Sequence, residues 1–159
     1  MNWSKGQSGL SCVFCNIVSR RIDAVMLHET ENTMTILDYQ PIREGHSLIL
    51  AKECYDSFDS APVEVVHEMV GEARALTHRL KDVFGVDKVA FMFVGECLDH
   101  LHAHVLPVHS DKDVISMQYI TAPNHQEIKI DISEEGLAHL RRTPEQLRLV
   151  QDKIGVMRP

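Results

Sequence analysis

Residues 100–109, HLHAHVLPVH, place a histidine at every second position over five residues. Successive side chains of a β-strand point to opposite faces, so His100, His102 and His104 are predicted to share one face of a strand. The residues between them are apolar, which suits the face of a sheet that covers a core. Histidine titrates near neutral pH, acts as a nucleophile or acid–base catalyst, and binds metals. This spacing predicts a site that either binds a metal ion or does chemistry on a substrate.

Two cysteines near the start of the chain offer a second set of ligands. Cys12 and Cys15 have the C-x-x-C spacing of tetrahedral zinc sites and also of redox pairs. No βαβ pattern surrounds them, which makes a thioredoxin-like function the weaker interpretation. Zinc would need two further ligands, and free thiols remain the alternative. The stretch 12–22 is predicted to be a knuckle followed by a short helical or irregular turn.

Length and composition predict a single globular domain of 159 residues, with 44% hydrophobic and 25% charged residues. The net charge of −7 argues against a surface that coats nucleic acid, although a single nucleotide could still bind. The sequence contains no long apolar run and no apolar signal core, so we expect a cytoplasmic chain without a membrane segment. Its four cysteines are then expected to be thiols or metal ligands rather than disulfides.

The hydrophobic pattern predicts an α+β fold in which an antiparallel sheet packs against one main helix. Pro62 and Gly85 delimit an amphipathic helix over residues 63–84. The predicted core positions of this helix are Val66, Met69, Val70, Ala73, Leu76, Leu80 and Val83. Strands are predicted over residues 33–39, 46–52, 87–96 and 100–108. The first two should form an antiparallel pair, and the third, which is apolar on both faces, should lie centrally.

The remaining residues, 109–159, are predicted to form a C-terminal helical extension. Thr143 and Gln146 make a capping box and Pro144 fits the first helical position, so one helix should begin there. The elements predicted in this extension are weak strands at 116–121 and 127–132 and helices at 133–142 and 143–155.

Taken in order, these blocks resemble the histidine triad (HIT) family, whose signature alternates three histidines with apolar residues. The resemblance covers about residues 12–108: the cysteine knuckle, ILDY, REGHSLILAK, the long helix and then the triad. It implies a HIT domain over 12–108, preceded by a flexible leader at 1–11 and followed by the extension. It also implies a homodimer.

The resemblance implies that the protein transfers a nucleotidyl group to water from a purine nucleotide or nucleoside phosphoramidate, or from a dinucleotide. His102 would attack the α-phosphorus and form a covalent nucleotidyl-histidine intermediate, which water then resolves. His104 would serve as general acid, and His46 would orient the triad by hydrogen bonding. This geometry requires the ring of His102 to face an open nucleotide cleft.

The resemblance also implies where the rest of a nucleotide would bind. Asp38 matches the acidic residue that holds the ribose hydroxyls. Ile22, Ile36 and Tyr39 match positions that sandwich the base, and Tyr39 could stack on it. Plain core packing is the alternative for these three apolar residues.

Bacterial zinc-containing members of the family complete the cysteine knuckle with a histidine after the second strand and with the first triad histidine. Here the former position is Cys54, so the resemblance implies a Zn site of Cys12, Cys15, Cys54 and His100. Four protein ligands leave no open position for a substrate, so this zinc would be structural.

Two other functions stay open, and a departure from the family is the reason for the second of them. The loop before the triad is shorter than in most relatives, and Glu96 and Asp99 bring negative charge near an anionic substrate. The protein could instead be a metal-dependent hydrolase that holds a catalytic cation on His100, His102 and His104. It could also be a nucleotide-binding protein with little catalysis.

Overall fold

The structure is a computed structural model and describes residues 12–93, 98–109 and 141–156. Its α+β architecture, a five-stranded antiparallel sheet with helices, confirms the predicted fold class. The strands are β1 (Met26–Glu29), β2 (Thr33–Leu37), β3 (Ser47–Ala51), β4 (Lys88–Phe93) and β5 (His102–Val108), and their order in the sheet is β1-β2-β3-β5-β4. The helices are α1 (Val13–Val18), α2 (Val63–Phe84) and α3 (Pro144–Ile154).

The pairing of β3 with β5 decides where the histidines lie. Leu50 is opposite His102 and Leu48 is opposite His104. Because directly opposed residues of an antiparallel pair share a face, both histidines lie on the face that carries these leucines. The pairing of β2 with β3, which the sequence predicts, is confirmed.

The sheet has a buried core on each face. On one face, apolar residues of β2 and β3 form a core with Cys12, Phe14 and Ile17. Phe14 and Ile17 belong to α1, and Cys12 directly precedes it. On the other face, the larger core joins α2 and α3 to the sheet. Among the described helices, none combines the length and apolar character needed to span a membrane.

Helix α2 has the predicted ends but a shifted core face. Pro62 precedes its first turn, and Gly85 ends it in the left-handed conformation at φ 62°. The buried residues are Val65, Met69, Ala73, Leu76 and Leu80. The predicted core position of Val70 is wrong, since this side chain is 45% exposed, and Val66 is only half-buried. Valines lie at both 65 and 66, so the hydrophobic period alone could not fix the rotation of the helix.

Two features of the sheet differ from the sequence prediction. Among the described strands, β4 is not central but terminal, with β5 as its neighbour in the sheet. Its apolar side chains are half-buried on both faces, which made an edge strand look like a buried one in sequence. The sequence analysis also missed β1, because MLHE is short and its His28 is buried against Glu72 of α2 at 2.6 Å.

Helix α3 confirms the predicted start of the helix at residue 143. The Thr143 side chain accepts a hydrogen bond from the Gln146 amide, and the Gln146 side chain accepts one from the Thr143 amide. Leu147 and Ile154 are buried in the larger core. The strands predicted at 116–121 and 127–132, the leader 1–11 and most of the helix predicted at 133–142 lie outside the described residues.

Gly45, directly before His46, packs closely against Phe84. Gly45 has φ +87°, and a Cβ there would lie 2.5 Å from Cε2 of Phe84. We expect Gly45→Ala to lower the free energy of unfolding by roughly 1–3 kcal/mol, because it adds backbone strain and a clash. Urea unfolding measures this loss.

Gly71→Ala on α2 is the matched control for that substitution. A Cβ at Gly71 meets no atom within 4 Å, so alanine should raise stability by about 0.5–1 kcal/mol through its better helix propensity. Equal stability of the two variants would contradict the strain assigned to Gly45.

Candidate active site and metal centre

Cys12, Cys15, Cys54 and His100 come together, as the sequence analysis predicts for a metal site. One ligand atom from each of these residues lies within 4.8 Å of all the others. Cys12 caps α1, and its Sγ accepts a hydrogen bond from the Cys15 amide at 3.4 Å. The short helix therefore holds the first two thiols on the same side of the chain.

His100 presents its Nδ1 to the thiols. Nε2 lies 2.8 Å from the Ala51 carbonyl oxygen, which can only accept, so Nε2 carries the proton. The lone pair of Nδ1 then faces the Sγ atoms of Cys12 and Cys15, both 3.4 Å away. Metal-binding histidines in proteins commonly have their second nitrogen bonded to a carbonyl in this way.

His100 precedes the ladder of β5, but its ring lies on the same side of the sheet as His102: the Phe14 ring centroid is 5.6 Å from that of His100 and 4.9 Å from that of His102. The ladder of β5 begins at His102, and the chain bends at residues 99–100. The Leu101 amide instead bonds to the Tyr55 carbonyl at 2.6 Å. His100 is therefore outside the strand ladder, and its side chain is buried beside the cysteines.

Burial disfavours the ionised form of two thiols of this cluster, those of Cys12 and Cys54. Burial, reinforced by Cys15 and Cys12, raises the pKa of Cys54 to about 12. Burial also raises the pKa of Cys12. Zn²⁺ binds soft sulfur donors and neutral imidazole, and its positive charge would stabilise ionised thiols. These residues therefore fit that ion.

His102 has the tautomer that a nucleophile needs. Its Nδ1 lies 2.7 Å from the His100 carbonyl oxygen and must donate, which leaves the lone pair on Nε2. The Phe14 ring centroid is 4.9 Å away, and His102 is 7% exposed, less open than the predicted cleft. Among the described residues, Nε2 of His102 is not one of the fully buried side-chain atoms that lack a hydrogen-bond partner. This edge of the ring therefore stays accessible.

His104 and His46 form a second hydrogen-bonded pair. The Ile42 amide donates to Nδ1 of His46 at 3.3 Å, so the proton of His46 lies on Nε2. That nitrogen lies 2.9 Å from Nδ1 of His104, which accepts and leaves an N–H at Nε2 of His104. The geometry supplies a lone pair on His102 beside a donor on His104, with ring centroids 5.2 Å apart.

Burial keeps these imidazoles neutral. Desolvation, followed by the charges of His46 and His102, lowers the pKa of His104 to about 4. Desolvation also lowers the pKa of His46, against an opposing effect of Asp38. Asp38 lies beside this pair: Oδ2 is 3.4 Å from Nδ1 of His46, and Oδ1 accepts from the Gln40 amide at 2.8 Å.

Asp38, His46 and His104 also lie close enough together to hold a cation. The three triad histidines do not make such a group among the described residues, because His100 belongs to the cysteine cluster. The geometry therefore gives no support to a catalytic ion held by His100, His102 and His104.

The predicted base-binding residues line one cavity of about 630 Å³ at the β1–β2 edge, a size typical of small-molecule sites. Ile22 and Tyr39 are 42% and 54% exposed, so they are not core residues, whereas Ile36 is buried. Side chains of α3 complete the wall. A second cavity of about 550 Å³ adjoins Asp38 and His46. No sequence signal placed α3 here, since its position depends on tertiary contacts.

The chain belongs to the HIT family: the family model described as HIT domain matches residues 19–111, more than half of the chain. An uncharacterised HIT-like protein of Methanocaldococcus jannaschii is 27% identical over 100 residues, which are 60% of this chain and 78% of that protein. An adenylylsulfatase of Arabidopsis thaliana is 29% identical, over 60% of this chain and 51% of its own length. An adenosine 5′-monophosphoramidase of Saccharomyces cerevisiae is 30% identical, over 64% and 65%. The chain thus spans less than two thirds of these two enzymes.

Solved structures share the fold over most of the chain. A HIT-like protein from Bartonella henselae superposes with a TM-score of 0.67 at 19% identity, covering 91% of this chain and 94% of that one. A zinc-bound histidine triad protein from Mycobacterium smegmatis has a TM-score of 0.63 at 24% identity, covering 91% and 93%. At these identities the similarity establishes the fold alone.

Acidification should destabilise the protein through His104. An unfolded histidine takes up a proton near pH 6.5, whereas the folded chain delays this until the His104 pKa of about 4. Proton binding therefore favours the unfolded state, and the free energy of unfolding should fall between pH 6.5 and pH 4. Urea unfolding across this range measures the slope, which His104→Gln should reduce.

NMR titration of the His104 ring checks the same cause directly. We expect a midpoint near pH 4 in the folded protein and near 6.5 in urea. A folded-state midpoint near 6.5 would contradict the proposed burial effect.

Proposed function

We propose that the protein is a nucleotide hydrolase or nucleotidyl transferase that cleaves at the α-phosphate of nucleoside 5′-phosphate derivatives through His102. The single observation behind this proposal is the 2.7 Å bond between Nδ1 of His102 and the His100 carbonyl. It leaves a neutral lone pair on Nε2, the form in which imidazole is a nucleophile. Relatives named as an adenylylsulfatase and a phosphoramidase support the substrate class.

The reaction proceeds in two displacements. Nε2 of His102 attacks the α-phosphorus, a P–N bond forms, and the bond from phosphorus to the leaving group breaks. His104, protonated once the substrate phosphate has raised its pKa, gives a proton to the departing atom and becomes neutral imidazole. Water then attacks the phosphorus, returns a proton to His104 and releases His102.

The low pKa of His104 fits this sequence once substrate is bound. A phosphate adds negative charge beside the imidazoles and favours the protonated form, which shifts the His104 pKa upward. In the free protein His104 acts as a neutral donor, because burial lowers its pKa to about 4. His46 positions His104 through their 2.9 Å bond.

The nucleoside would extend from the histidines toward the 630 Å³ cavity. Ile22, Ile36 and Tyr39 line this cavity and would enclose the base. Asp38 neighbours His46 and would accept hydrogen bonds from the ribose hydroxyls.

Replacing His102 tests the covalent step. Incubation with an adenosine phosphoramidate should give wild-type protein a mass increase of one adenylyl group, whereas His102→Ala should show none. The variant should also lose about 10³-fold or more in kcat/KM, because the nucleophile is gone. Intact-mass spectrometry and a product assay make the two measurements.

His104→Ala is the companion variant for this test. It should slow turnover yet still form the adduct, since Nε2 of His102 is retained. An adduct on His102→Ala would overturn the assignment of the nucleophile. Nucleotide binding without turnover by the wild type would instead favour the non-catalytic alternative.

We also propose that Cys12, Cys15, Cys54 and His100 hold a structural zinc ion. Bound there, the metal would stabilise three thiolates. It would also link the start of α1 to His100, two residues before His102. All four ligands are protein side chains, so the ion would have no open position for substrate. Support comes from the donor set, the spacing and the Ala51 bond to His100.

Zinc content tests this site independently of activity. The purified protein should contain about one zinc ion per chain, and Cys54→Ala should weaken zinc binding by at least 10- to 100-fold. Cys54→His, which restores a good ligand, and His102→Ala should both retain zinc. Elemental analysis and chelator competition provide the measurements; zinc loss on His102→Ala would instead point to a metal at the nucleophile.

The proposed assembly is a homodimer. β4 lies at the end of the described sheet, so its outer edge offers unpaired backbone groups to a second chain. The exposed Val63 and Val70 of α2 add apolar surface that dimerisation could bury.

A further inference from the structure

We infer that Arg148 of α3 makes the 630 Å³ cavity selective for 6-oxopurines, guanine or hypoxanthine, over adenine. This inference rests on the proposed function, because it takes the cavity to be the base site. It assigns a specificity-determining residue to the extension that follows the triad.

The apolar side chains that line the cavity could enclose a flat base, and its charged side chains could bind the polar edge of that base. Ile22, Ile36 and Tyr39 supply apolar surface, and Asp23 is the carboxylate of the lining. Arg148 also lines the cavity. Of the lining arginines, Arg20 is already bound to Glu29 at 2.6 Å.

Arg148 keeps its donors available. No described residue accepts a hydrogen bond from its guanidinium, and none forms an ion pair with it within 4.0 Å. Arg148 interacts electrostatically with Glu145, one turn earlier on α3. Its positive charge, without a hydrogen bond, helps to lower the pKa of Glu145. An exposed guanidinium carries five N–H donors and no acceptor, so it can recognise only groups that accept.

The backbone that carries Arg148 is well fixed. Its neighbour Leu147 is buried in the larger core, as is Ile154 at the end of α3. The Gln151 side chain donates to the Met26 carbonyl of β1. At the start of the helix, the Arg142 amide donates to the Tyr39 carbonyl at 2.8 Å. Helix α3 is therefore attached both to the residue proposed to stack on the base and to the opposite wall.

The chemistry of the base edge gives the selectivity. Guanine and hypoxanthine present two adjacent acceptors, O6 and N7, which match two parallel N–H donors of arginine. Adenine replaces O6 with an amino donor, which leaves one acceptor and sets two donors against each other. A bidentate match of this kind discriminates by roughly 5- to 100-fold. Because Arg148 is exposed, we expect the lower part of that range, about tenfold.

Calorimetric titration with GMP, IMP and AMP tests the inference without any turnover. Wild-type protein should bind GMP and IMP about tenfold more tightly than AMP. Arg148→Met removes the donors and keeps an unbranched side chain, so it should lower GMP and IMP affinity to the AMP level and leave AMP within about twofold. Arg74→Met is the matched control, because Arg74 is exposed on α2 and outside the lining of the cavity; it should preserve the preference.

Other outcomes would overturn the inference in distinguishable ways. Equal affinity of wild type for the three nucleotides, or a preference retained by Arg148→Met, would contradict the role of Arg148 and leave the proposed function intact. An equal loss for all three nucleotides in Arg148→Met would show that Arg148 contacts phosphate or ribose instead. Failure of wild type to bind any of the three would contradict the proposed function itself.

Discussion

The antiparallel pairing of β3 with β5 is the constraint on which both sites depend, and Ala51 is its key residue. The Ala51 amide donates to the Leu101 carbonyl at 3.0 Å, and the Ala51 carbonyl accepts from Nε2 of His100 at 2.8 Å. His100 in turn turns Nδ1 to the cysteines and offers its carbonyl to His102. Backbone carbonyls thus set the tautomers both of His100, which faces the cysteines, and of His102, the proposed nucleophile.

Desolvation of two imidazoles is the second physical effect that shapes the site. His46 and His104 lie close together, and desolvation lowers the pKa of both. A neutral imidazole can supply a lone pair or an N–H, whereas two protonated rings at this distance would repel. An anion bound beside these rings, such as the phosphate of the proposed substrate, would favour their protonation.

Helix α3 belongs to the fold although it follows the matched family region, which ends at residue 111. Leu147 and Ile154 share a core with α2 and β1. Other side chains of α3 line the cavity that holds Ile22 and Tyr39. A segment outside the matched region therefore forms part of the cavity wall, although it supplies none of the triad histidines.

The sequence by itself determined the α+β class, the ends of α2, the capping box of α3 and the identity of the residues in the cysteine cluster. The fold class, the helix ends and the capping box follow from local periodicity and capping chemistry. The C-x-x-C spacing indicates Cys12 and Cys15, whereas Cys54 and His100 follow from the resemblance to the HIT family. Tertiary structure alone decided that β4 is terminal among the described strands, that α2 buries Val65 rather than Val70, and that Nδ1 of His100 faces the cysteines. Each of these depends on which distant backbone or side chain lies alongside, and a period of two or 3.6 residues carries no information about that neighbour.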